Sequence, residues 1–159
     1  MQLLSNEGER LVFLLHKEEV DLLQHLVELG CSAQRRPVRF SRRPQDLPAG
    51  ASEDFAAATH RSQAVGRAFL HRVFQPGGGF LQASTADGQG SGLTLTRPQL
   101  EQLLQALNDI KLAHWEQLGC PEEPSVADDA APDELPSHLV MDLVNQVQML
   151  LLSAVATPR

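Results

Sequence analysis

Six histidines, two cysteines and one lysine set among leucines are the side chains through which this 159-residue chain would do chemistry. The histidines are His16, His25, His60, His71, His114 and His138. None stands in an HxxxH or HExxH pair, and neither Cys31 nor Cys120 has a histidine beside it, so a zinc site would need ligands gathered by the fold alone. The cysteines are far apart and form no CxxC, which points to free thiols in a reducing compartment. There is no GxSxG elbow, no catalytic carboxylate motif and no dinucleotide glycine fingerprint. Gly77-Gly78-Gly79 runs into Phe80-Leu81 without the lysine or hydroxyl that a phosphate-cradling loop requires. With no tyrosine and one tryptophan, stacking on nucleic-acid bases is thinly supplied. Neither catalysis nor a bound cofactor or metal is expected.

Two polar groups deviate from plain packing. In Asn108-Asp109-Ile110-Lys111 and His114, the helical period puts Lys111 and His114 on the face of Leu100, Leu104, Leu107 and Leu118, and turns Asp109 away. A lysine on an apolar stripe snorkels or pairs with a carboxylate, for which Asp142 is the expected partner. The sharper alternative is an enzyme in which Lys111, with a depressed pKa, works with His114 and Asn108 in a pocket made by the fold. The second group is Arg35, Arg36, Arg39, Arg42 and Arg43, which with Phe40 suits phosphate and makes nucleic-acid binding the alternative function. Against it stand the net charge of −7 and the lack of a helix-turn-helix, KH or RRM signature. From Arg35 to Arg72 there are eight arginines and three acids, whereas Glu101 to Asp142 holds ten acids and one lysine. Pairing of the arginines with the acidic half of this or another subunit accounts for them more simply.

The elements that must position these residues can be read from periodicity and caps. Residues 10–15 form a short Val- and Phe-containing apolar run, a strand. A helix over 17–29 follows, with Gly30 as its left-handed cap. Residues 31–51 carry three prolines and five arginines and form an extended connection. Ser52 caps a second helix over 52–74, with Phe55, Ala58, Ser62, Val65, Phe69 and Val73 on its buried stripe. Gly66 lies on that stripe, and close contact with a neighbouring helix would offset its helix-weakening effect. Residues 77–92 are a glycine-rich loop with short strands at 80–83 and 93–95. Thr96 and Gln99 make a capping box for a third helix over 96–118, with Pro98 in its first turn and Gly119 closing it. Residues 121–136, with four prolines and six acids, are a linker.

The last helix, 137–156, has a main face of Leu139, Val140, Leu143, Val144, Val147, Leu150, Leu151 and Ala154. Met141, Met149 and Leu152 form a second apolar stripe behind it, suited to another protein or a second copy of the chain. The fold class expected is mainly α (α+β): one domain over 1–159, about four helices packed on an antiparallel ribbon or sheet of two to three short strands. No apolar stretch reaches the roughly 18–20 residues that cross a bilayer, and residues 1–7 lack the features of a secretory signal. A cytoplasmic protein without membrane contact is expected.

One stretch resembles a known family. Leu93-Thr94-Leu95-Thr96, then Gln105-Ala106-Leu107-Asn108-Asp109-Ile110-Lys111-Leu112 and Leu118-Gly119, resembles an uncharacterised bacterial family best known in actinobacteria, whose members carry a strand ending in Leu-Thr and a helix reading Ala-Leu-Asn-Asp-Leu-Arg-Leu. Pro136 and Gln146 or Gln148 match the family's acidic Pro-containing gap and final helix, whereas Trp115-Glu116 departs from it. That family has no established activity. Its genes often lie near that of the ClpS protease adaptor, so the resemblance implies a regulatory role linked to proteolysis. A small non-catalytic binding module is the function expected.

Overall fold

A computed structural model describes residues 1–7, 9–32, 51–75, 80–83, 90–119 and 132–156. The chain runs β1 (Gln2–Glu7), β2 (Arg10–His16), α1 (Lys17–Ser32), α2 (Ala51–Phe74), β3 (Leu81–Ala83), β4 (Gly90–Thr96), α3 (Arg97–Gln117) and α4 (Leu135–Ala156). It is mainly α, with one four-stranded antiparallel sheet in the order β1-β2-β4-β3. The central pair carries the sheet's contribution to the core. Leu11, Phe13 and Leu15 alternate inward along β2, and the register sets Leu11 opposite Leu95 and Phe13 opposite Leu93.

The sheet has four strands rather than two or three. Gln2-Leu3-Leu4-Ser5-Asn6-Glu7 lacks period-two alternation, and its pairing with β2 shifts register between Leu3 and Ser5, so β1 is an edge strand held by its neighbour more than by its own pattern. β4 also begins earlier than expected, at Gly90 inside the glycine-rich stretch. A Cβ on Gly90 would stand 2.9 Å from Leu14 Cδ1 and 3.2 Å from the Leu15 carbonyl oxygen, so glycine here permits close strand approach.

Helix bounds fall near those expected, with shifted ends. α1 continues through Gly30 to Ser32 instead of capping there, and α2 starts at Ala51, one residue before Ser52. Their facing is corrected more substantially. On α2 the buried residues are Gly66, Phe69, Leu70, Val73 and Phe74, while Ala58 and Ser62 are exposed and Val65 is 58% exposed. That rotates the face by roughly 60° from the expected stripe. Small Ala and Ser residues in the first half give little apolar contrast, so the larger residues at the end of the helix decide its orientation. The expected contact of Gly66 is present: a Cβ there would lie 3.3 Å from Ala106 Cβ on α3. Gln24 Nε2 donates to the Phe74 carbonyl (2.7 Å), tying α1 to the open C-terminal end of α2.

α3 has the expected capping box, with Gln99 N–H donating to Thr96 Oγ1 and Thr96 N–H to Gln99 Oε1. Gly119 follows it at φ +81°, a left-handed conformation that a Cβ disfavours. α4 buries Val140, Val144, Val147 and Leu151, but Leu139 and Leu150 are exposed, contrary to the expected main face. Its buried side centres roughly 45° away from the one predicted by periodicity. A helix apolar nearly all round gives its own sequence little means of selecting the inner side. Gln148 Nε2 donates to the Leu104 carbonyl (3.2 Å), so one glutamine of the family resemblance fastens α4 to α3.

Candidate functional site

The Asn108, Asp109, Lys111 and His114 cluster separates in three dimensions. Asp109 does not simply turn away from the protein. It is half-buried at the α2–α3 crossing, accepting from Gln105 Nε2 at 3.3 Å, with Oδ2 3.7 Å from the point where a Gly66 Cβ would stand. Asn108 and Lys111 are half-buried, Asp142 is exposed, and no ion pair joins Lys111 to Asp142. The expected pairing is corrected by simple exposure: a lysine that reaches water needs no carboxylate.

His114 alone of the four sits deep, at 6% exposure. The Ser137 hydroxyl, in the first turn of α4, donates to Gln117 Oε1 (3.2 Å), leaving its oxygen to accept from His114 Nδ1–H (3.1 Å). His114 Nε2 is buried without a hydrogen-bond partner among the described residues. Burial pushes the His114 pKa below its ordinary value, so the ring is neutral at pH 7. The Ser137 contribution was invisible in sequence, because it comes from a helix 23 positions away. This geometry differs from that of an activated serine, whose hydroxyl donates to the histidine instead of away from it.

His114, Gln117 and Ser137 contribute the polar part of a groove of about 670 Å³ whose other walls include Leu29 of α1 and Leu135, Leu139 and Leu143 of α4. Lys111 does not line it, so Lys111 and His114 do not meet in this groove. Leu29, Leu135 and Leu139 are exposed, Leu139 at 56%. They belong to a wider pattern. Seven of the ten exposed large apolar side chains among the described residues lie on α1 and α4: Leu22, Leu29, Leu135, Leu139, Met149, Leu150 and Leu152.

Of the expected stripe on the last helix, Met149 (67%) and Leu152 stand in solvent, while Met141 is half-buried by the rotation of α4. Periodicity places Leu22 and Leu29 on the buried face of α1 and Leu139 on that of α4, yet all three stand exposed, as does Leu135 at the start of α4. Leu22 and Leu29 are seven apart, and Leu135 and Leu139 four apart, each pair sharing a helix side. Arg35, Arg36, Arg39, Arg42 and Arg43 lie outside the described residues.

No family model, no curated protein and no solved structure matches the chain. Among the described residues, no three His, Cys, Asp or Glu side chains come together as metal ligands would, and no helix is long and apolar enough to cross a membrane.

Proposed function

We propose that this chain is a non-catalytic binding module that receives part of another protein along the outward faces of α1 and α4. The observation that carries this is that three exposed leucines, Leu29 of α1 and Leu135 and Leu139 of α4, border one groove between two helices in contact. Exposed apolar side chains scattered singly over a surface are ordinary, whereas a contiguous set marks a surface that another molecule covers. The neutral His114, locked through Ser137 to Gln117, supports the groove floor as a fixed polar anchor instead of acting as a base.

A photoreactive side chain placed at Leu139, compared in living cells with one at Val65, tests the proposal. A defined second protein joined at position 139 and absent at 65 is the expected result. Equal labelling at both positions, or at 139 only a second copy of the chain, contradicts it. On the family resemblance we also place this binding in regulated proteolysis in a bacterial cytoplasm. Co-purification of a protease adaptor, lost on Leu135→Ser, Leu139→Ser, tests that placement.

A further inference from the structure

Resting on the binding-module proposal, we infer that the segment received along α1 and α4 is an amphipathic helix whose apolar stripe is flanked by lysine or arginine. The inference comes from the charges that frame the exposed leucines. On α1, Glu18 stands one turn before Leu22 on the same side and Asp21 lies further out, both exposed, whereas Glu28 faces the cleft toward α2. On α4, Asp142 is exposed three positions after Leu139, and Asp133 and Glu134 are exposed just before the helix begins. α4 contains no lysine or arginine, and α1 has only Lys17, its first residue. His25, also exposed on this side of α1, lies 3.8 Å from the Glu28 carboxylate.

The frame is thus acidic on both helices. A second copy of the same face would set carboxylates against carboxylates around the leucines, and anionic membranes and nucleic acids would be repelled in the same way. A basic helix is attracted instead. Shape favours a helix too. Two packed helices leave a furrow between them, and the side chains of a third enter it as a ridge, read by anchors at three-, four- and seven-residue spacings. The protein's leucines already have those spacings, with Leu22 seven before Leu29 and Leu135 four before Leu139.

The test uses the full chain and three synthetic peptides of about five helical turns. All share one leucine stripe, and their polar positions are all lysine, all glutamine or all glutamate. Fluorescence anisotropy should show the lysine peptide binding roughly tenfold more tightly than the glutamine peptide, the scale that a few exposed charge pairs give, and the glutamate peptide more weakly still. Raising the salt should shrink that preference. Leu135→Ser, Leu139→Ser should abolish binding of the lysine peptide without loss of the folded signal, because both side chains are exposed. Glu18→Lys, Asp142→Lys should reverse the ranking toward the glutamate peptide. If the three peptides bind alike, with binding lost in the leucine variant, the charge inference is overturned while the binding module stands. If none binds, or if the lysine peptide ignores the leucine variant, both are overturned.

Discussion

At the residue scale, His114 makes the protein's stability depend on pH. Its folded pKa is depressed from the ordinary 6.5 by burial, so the unfolded chain takes up a proton first as pH falls. Its contribution is therefore intact above about pH 6.5 and declines as pH drops from there toward the lowered folded value. Denaturant midpoints from pH 7.5 down to 5 should fall more steeply for the wild type than for His114→Gln, which keeps a donor for Ser137 and cannot titrate; parallel curves would contradict this. Lys111 behaves oppositely. Half-exposed and unpaired with Asp142, it should be replaceable by methionine within about 0.5 kcal/mol, as read by urea unfolding. The sequence showed that both residues share a leucine face, but not that one would be sealed and the other reach water. That difference is made by Ser137 and α4, which pack over His114.

The elements themselves were far more legible than their orientations. Thr96, Gln99, Pro98 and Gly119 are local signals that act within one turn of helix, and each does in the structure what its chemistry dictates. The inward face of α2 and of α4 is decided by neighbours, and where apolar residues are weak or surround the helix, periodicity leaves several orientations close in energy. Gly66 is the exception, since a glycine within a helix already implied close approach. Gly66→Val should drive α2 and α3 apart and cost about 1–3 kcal/mol. Ala106→Gly, by clearing the atom 3.3 Å from the missing Cβ, should recover part of that loss in the double variant. Additive losses in thermal melts would show that the two helices do not meet there.

Across the whole molecule, the mixed architecture follows from elements that cannot stand alone. Short strands pair and turn Leu11, Phe13, Leu93 and Leu95 toward the helices, which close the core with Leu70, Leu103, Leu107, Val144 and Leu151. The one strand that sequence did not reveal, β1, places no fully buried side chain in that core. The arginine-rich and acidic halves of the chain promised a dipolar protein. Among the described residues, what emerges is an acidic frame around exposed leucines on α1 and α4. With net charge −7 adding general repulsion between copies, sedimentation at physiological salt should show a monomer. A concentration-dependent dimer dispersed by Leu135→Ser, Leu139→Ser would instead give that face to a second copy. The most direct test of the central claim is methyl NMR of leucine- and valine-labelled protein titrated with the lysine-faced peptide. Leu22, Leu29, Leu135 and Leu139 should shift together with one saturation curve while Val65 and Leu112, exposed elsewhere, stay fixed. Shifts centred on Val65 or Leu112, or none at saturating peptide, would contradict it.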